Sequence, residues 1–385
     1  MKKSLVIKIL MMALALVFVF ALSSCDIGLF EDDGEYADNE DLADINKDLK
    51  NEKPSEGLKF KKGTDKETGE EYYSVTGLGE CTDTVVIIPD EYDGLPVKKI
   101  GSGAFKETAI ERVYIPEGVT NIAHHAFAEC EALTSIALPE SLETLDGNAF
   151  EGCKNAKAIY LGKNLKKISK GAFANCQSVE VIYLPEALEE MGTNVFEGCK
   201  ALGKVVFYCN DMTSIPNGTF YDCTTLQQLD LPDALTTIGD DAFRGCESIS
   251  EFDIPDTVTK VGNRAFMRCT SLAKLVIPAS IEEWGNFVTY FCKNLAVMEY
   301  EGTLAQWKEI KCYPKKEVGE TEQRVVSPNE SLSMFLHVKA TEVKCADGSV
   351  DIVAIMEEHG FKDSADLNPD AGVTTDDDDT GESEE

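Results

Sequence analysis

From about residue 97 to residue 300, apolar side chains return to one phase every 23 positions. Phe127, Phe150, Phe173 and Phe196 set the step; after one 24-residue spacing it continues through Phe220, Phe243 and Phe266. A Cys stands three residues after each, from Cys130 to Cys269. Phe105 opens the series with Thr108 in the Cys position, and Thr289 replaces the Phe before Cys292. Apolar pairs such as Leu142/Leu145, Leu165/Ile168 and Leu235/Ile238 keep the same register. So do short runs with alternating apolar positions, as in Leu133-x-x-Ile136-x-Leu138. Alternation of period two predicts strands. The Pro that follows most of them (Pro116, Pro139, Pro185, Pro232, Pro255, Pro278) suits a strand exit, since Pro donates nothing to a ladder. Gly162 and Tyr208 take its place in two coils, and the one extra residue falls within Tyr208–Asp211.

A strict period of this length predicts a solenoid, in which each coil buries its apolar side chains against its neighbours. Each inward side chain contributes about 1.5–3 kcal/mol if fully buried. One coil does not outweigh its own ordering entropy, whereas a stack does.

The residues resemble the BspA-type subfamily of leucine-rich repeats, whose pattern is L-x-x-I-x-I-P…L-x-x-I-x-x-x-A-F-x-x-C. Ala126-Phe127, Ala149-Phe150, Ala172-Phe173, Ala242-Phe243 and Ala265-Phe266 keep the Ala-Phe pair, while Val195 and Thr219 depart from Ala in phase. The resemblance implies a repeat solenoid of the α/β type, mostly β: a right-handed leucine-rich-repeat solenoid of about nine 23-residue coils with terminal caps. Stacked strands at ~4.8 Å make that body about 40 Å long.

The flanks divide the rest. Lys2 and Lys3 precede an apolar run, Ile9 to Leu22, shorter than the ~20 residues that span a bilayer and of a length that suits a signal peptide. It ends in Leu22-Ser23-Ser24-Cys25, which resembles the lipobox of bacterial lipoproteins. That resemblance implies cleavage before Cys25, lipidation of its sulfur and a membrane anchor there. The expected organisation is therefore signal peptide 1–24, acidic disordered tether 25–56, N-terminal cap 57–96, solenoid 97–300, C-terminal cap 301–362 and acidic disordered tail 363–385. The first cap is expected to contain a hairpin of Leu58–Phe60 with Tyr72–Val75. The second is expected to contain a short helix capped by Thr303 and a closing unit at Val343–Gly348. A polar surface loop is expected at 314–330, and a short strand or helix at Ile352–Phe361.

Charge narrows the partners. The net charge is −33, and losing residues 1–24 with Lys2, Lys3 and Lys8 takes it to −36. Nucleic acid is excluded, because phosphate binding needs a basic footprint. The two acidic ends read as solvated, self-repelling segments. Asp376–Asp379 lacks the spaced ligands and Gly turn of an EF-hand loop.

Thirteen cysteines in an exported chain invite disulfides. The repeat instead stacks eight of them, Cys130 to Cys292, on one inward face as small hydrophobes. Cys81, Cys209, Cys312 and Cys345 stand outside the ladder, and a Cys312–Cys345 bridge is one way to close the C-terminal cap. No C-x-x-C pair supports a zinc site, so no metal or cofactor is expected. His124-His125 is expected on an exposed turn; His337 and His359 join no catalytic order. No nucleophile–base arrangement, carboxylate pair or phosphate-binding glycine loop is present, and catalysis is not expected.

Alternation that turns Ile136 and Leu138 inward turns Ser135 and Ala137 outward. One outward column reads Tyr114, Ala137, Tyr160, Tyr183, Val206, Asp230, Asp253, Val276, Glu299; its neighbour contains Arg112, Ser135, Ala158, Val181 and Glu251. In leucine-rich repeats such strands line the concave face. Tyr combines apolar area with a hydroxyl handle, so Tyr114, Tyr160 and Tyr183, followed by Asp230, Glu251 and Asp253, form the candidate partner-binding face. The resemblance implies a cell-surface adhesion lipoprotein that recognises a protein or glycan. A structural envelope spacer without a specific ligand is the other reading.

Overall fold

A computed structural model of the chain describes residues 42, 44–312, 327–328 and 338–358. Residues 1–24, Cys25, most of the 314–330 insertion, His337, His359 and the tail 363–385 lie outside the described residues. Those that are described belong to one compact unit, Asp38–Glu385.

That unit is a mostly β solenoid. Ten short strands, from Val85–Ile87 to Val297–Tyr300, succeed one another along one face. Nine were expected; the tenth, Val85–Ile87, lies before the first Phe-bearing coil and pairs in parallel with Arg112–Tyr114. Register follows the period: Ile136 faces Ile159, Val205 faces Leu229 and Leu275 faces Met298. Two-residue strands form a second parallel ladder on the other side of the core, including Thr144–Leu145, Lys167–Ile168 and Glu190–Met191. It resumes in a separate sheet at Ser214–Ile215. The break falls in the coil that holds the extra residue.

Between the ladders the chain turns twice per coil through left-handed residues, among them Asn148, Asn175, Asn194 and Asp222. Asn and Asp adopt this conformation at lower cost than other side chains. The turns carry the Ala-Phe pair into the core. Phe105 to Phe266 form one stack, with neighbouring centroids from 4.9 Å (Phe127–Phe150) to 5.9 Å (Phe196–Phe220) and planes within 15°. All seven expected ladder phenylalanines, and Phe105, are inaccessible to solvent. Each coil is also tied to the next through its backbone: the Phe150 N–H donates to Ala172 O at 2.8 Å and that of Phe173 to Val195 O at 3.0 Å.

The ends are closed by other means. Lys59–Thr64 pairs antiparallel with Glu71–Gly77, which extends the short-strand ladder through Leu95–Ile100. At the far end Thr303 caps the helix Leu304–Glu309 in a full capping box with Gln306, and Trp307 packs edge-on against Tyr300 at 5.3 Å. The hairpin Glu342–Cys345 with Gly348–Asp351 adds to the strand face, and Ile352–Glu358 is a helix rather than a strand.

Every described cysteine carries a free thiol. The bridge considered for Cys312 and Cys345 is not formed: Cys312 joins the short-strand ladder beside Trp284, whereas Cys345 ends a strand on the other face. His124 and His125 are exposed on a turn, with His125 left-handed at φ 55°.

Candidate functional site

The strand face divides into two unlike halves. Asp230, Glu251 and Asp253 are exposed on Gln228–Asp230 and Glu251–Asp253. Beyond them Lys274 meets Glu299 at 3.0 Å, so the acidic half carries its own counter-charge at that end. The tyrosines do not form the open patch that alternation alone suggests. Tyr114 is half-buried, while Tyr160 and Tyr183 retain only 6% and 7% of their accessible surface. The hydroxyl of Tyr160 donates to the Glu140 carboxylate, which draws the ring against the loops at the strand exits. Burial first, and then that carboxylate, push its pKa up. Burial likewise raises Tyr114.

The first coils are covered from an unexpected direction. The stretch 25–56 reads as a free acidic tether, yet from Asp44 onward it is seated on the strand face. Lys47–Asn51 makes a 3-10 turn that buries Leu49. Arg112 grips both oxygens of Asp48, at 2.9 and 2.5 Å, and its Nε donates to Asn46 Oδ1 at 3.0 Å. The Asn46 amide donates to Val113 O at 3.3 Å, and the Ser135 hydroxyl donates to Asn46 Oδ1 at 3.2 Å. Farther along, the Ser55 N–H donates to Ile87 O at 2.9 Å. Composition hides this docking, because two side chains, Asn46 and Asp48, bonded to Arg112 and Ser135 hold the segment against the repulsion of the acidic run.

The rim formed by the strand exits holds the other notable feature. A cavity of about 720 Å³ opens over coils that contain Tyr160, Gly162, Lys163, Asn164, Tyr183, Glu186, Tyr208 and Asn210. Tyr208 is 44% exposed and stacks on Tyr183, with centroids 6.0 Å apart and planes at 13°. Of these residues only Tyr160 and Tyr183 stand in the outward columns. The others had a signal of a different kind: Gly162 and Tyr208 are the exceptions to the exit Pro, and Asn210 lies in the one-residue insertion.

Among the described residues no cluster of three or more His, Cys, Asp or Glu is arranged to hold a metal ion. No helix among them is long and apolar enough to cross a membrane.

The family model for the BspA type leucine rich repeat region matches residues 98–226 and 213–313, more than half of the chain. The chain belongs to this family of leucine-rich repeat proteins. Solved structures similar to it include a leucine-rich repeat protein of T. pallidum, at 27% identity over 51% of this chain and 90% of that one, with a TM-score of 0.46. A leucine-rich repeat protein of Bacteroides ovatus is similar at 22% identity over 65% of this chain and 95% of that one, with a TM-score of 0.28. The pneumococcal vaccine antigen PcpA is similar at 17% identity over 77% of this chain and 98% of that one, with a TM-score of 0.35. No curated protein matches the chain.

Proposed function

We propose that this protein is a cell-surface adhesion lipoprotein, anchored through Cys25, which binds a partner on its strand face without catalysis. One observation carries the reading. The second half of the strand face leaves Asp230, Glu251 and Asp253 open to solvent on two successive strands, where one sheet ends and the next begins. A cluster of exposed carboxylates on two neighbouring strands suits a protein partner of the opposite sign, steering encounter more than adding affinity. Membership of the BspA-type family supports a repeat scaffold over an enzyme. The lipobox-like Leu22-Ser23-Ser24-Cys25 supports export and anchoring, and two or more acyl chains hold a protein stably where one does not.

Protease shaving of intact cells, followed by capture of partners with the folded domain, tests both parts. Release by protease and saturable capture, weakened by Asp230→Asn/Glu251→Gln/Asp253→Asn and by added salt, is the expected result. A shaved protein that captures nothing saturably is an envelope spacer instead.

A further inference from the structure

Two early strand exits share a carboxylate cap that the next exit lacks. In two early coils the exit Pro is followed by a Glu whose carboxylate serves the next coil. Glu117 accepts from the backbone N–H groups of Glu140 and Ser141, each at 3.1 Å, and Glu140 accepts from that of Lys163 at 2.7 Å. The next residue in the series is Lys163 itself, which has no acceptor to offer the amides of Glu186 and Ala187. At the same place Gly162 replaces Pro. It holds φ at 71°, and a Cβ there would lie 2.8 Å from Pro139 O, so the backbone approaches its neighbour with no side chain above it. Two coils on, Tyr208 replaces Pro and the extra residue bends the exit, which turns Cys209 into the core and leaves the Tyr208 ring outside on Tyr183. These departures are scattered in sequence and meet around one cavity of about 720 Å³. Core packing does not require them, since the buried Phe and Cys positions of the same coils keep their phase.

We infer that this rim cavity, where Tyr208 stacked on Tyr183 faces the Glu186–Ala187 amides beside Lys163, binds an uncharged carbohydrate chain. The flat Tyr208 ring offers a face to the C–H side of a sugar ring. Around it stand N–H donors, the Glu186 carboxylate as acceptor and the Asn210 amide as both, a mixture that matches hydroxyl groups able to donate and accept. The volume lies within the range of small-molecule sites, roughly 300–1,000 Å³. A chain is favoured over a single sugar because hollows of about 220 and 600 Å³ flank the cavity, sharing Tyr160 on one side and Tyr208 on the other. The net charge of −33 and Glu186 on the rim repel polyanionic chains.

This inference rests on the binding reading above but uses residues other than Asp230, Glu251 and Asp253, so the two fail separately. Calorimetric titration of the folded domain with maltohexaose, cellohexaose, xylohexaose, N-acetylchitohexaose and a polygalacturonate fragment tests it. At least one neutral oligosaccharide should bind and the anionic fragment should not. Tyr208→Ala should weaken that binding by about tenfold or more, which is 1.4 kcal/mol or more. Lys163→Glu, which restores the carboxylate cap of the earlier coils, should weaken it as much while leaving thermal unfolding in place. Tyr92→Ala, equally exposed at the N-terminal end, should change nothing. Absence of binding by every neutral chain, preference for the anionic one, or full binding by both rim variants overturns the assignment. Capture through Asp230, Glu251 and Asp253 that persists in that event leaves the adhesion reading standing.

Discussion

The thiol of Cys176 donates to the carbonyl oxygen of Phe150, one coil earlier, at 3.2 Å. Seven other cysteines repeat the contact, from Cys130 on Phe105 at 3.0 Å to Cys292 on Phe266 at 3.0 Å. The Phe position supplies bulk and the Cys thiol of the next coil gives its buried carbonyl a second donor, which explains why a small residue with a donor recurs there. The Phe150 carbonyl also accepts from the Cys153 N–H at 3.3 Å, so the thiol is its second donor, and one such hydrogen bond contributes about 0.5–1.5 kcal/mol. Cys176→Ala should therefore lower stability by that amount in urea unfolding, and Cys176→Ser, which retains a donor, should lose less. Equal losses would remove the hydrogen bond from the explanation.

Burial also governs the chemistry of these thiols. It raises Cys130 to about 11 and Cys209 to about 11, and it pushes Cys176 and Cys223 up as well. The thiolate is the nucleophile, so iodoacetamide at pH 8 should leave the ladder unmodified in the native protein and label it in urea. Mass spectrometry of the labelled peptides reads the result, and rapid native labelling of Cys176 would contradict it.

The same shifts fix the alkaline limit. A free thiol in the unfolded chain ionises near pH 8.5, whereas the buried ones stay protonated. The neutral form is common to both states below that pH, and stability is complete there. As pH rises toward 11 only the unfolded chain loses protons, so stability falls. The urea midpoint should drop between pH 8 and pH 10, and an unchanged midpoint would show that the ladder thiols ionise in place.

Arg112 and Asp48 fasten the N-terminal segment to the strand face, and the guanidinium, mainly by hydrogen bonding, lowers the Asp48 pKa. A depressed carboxylate pKa stabilises docking above the unfolded value, near 3.9, and that contribution is lost as pH falls through the folded one. Hydrogen exchange of a peptide spanning 44–52 should accelerate in Arg112→Ala at pH 7, while solenoid peptides keep their protection. Unaltered exchange in this variant would assign the docking to Leu49 and Asn46 alone.

The inward half of each coil was legible in the sequence because packing imposes it: Phe173, Cys176 and Ile168 recur wherever the stack needs them. Outward positions carry no such constraint. Alternation set Tyr160 and Tyr183 in an outward column, whereas both are buried, and it did not register the Glu140 carboxylate that pulls the first ring down. It also did not foresee Asn46 over Ser135, because that contact joins residues 89 apart in sequence and belongs to no period. The rim cavity was written as exceptions, Gly162 and Tyr208 among the prolines. An exception becomes a site only when the fold brings it beside another.

All of this depends on the continuous aromatic and thiol spine that stacks coil on coil, and Phe173, fully buried between Phe150 and Phe196 at 5.7 Å from each, sits at its centre. Urea unfolding of Phe173→Ala measures it directly. A loss of about 3–5 kcal/mol, as for other buried aromatics, is the expected result. A loss below about 1 kcal/mol, no more than an ordinary surface change, would contradict the spine and with it the sheet that the spine holds open for a partner.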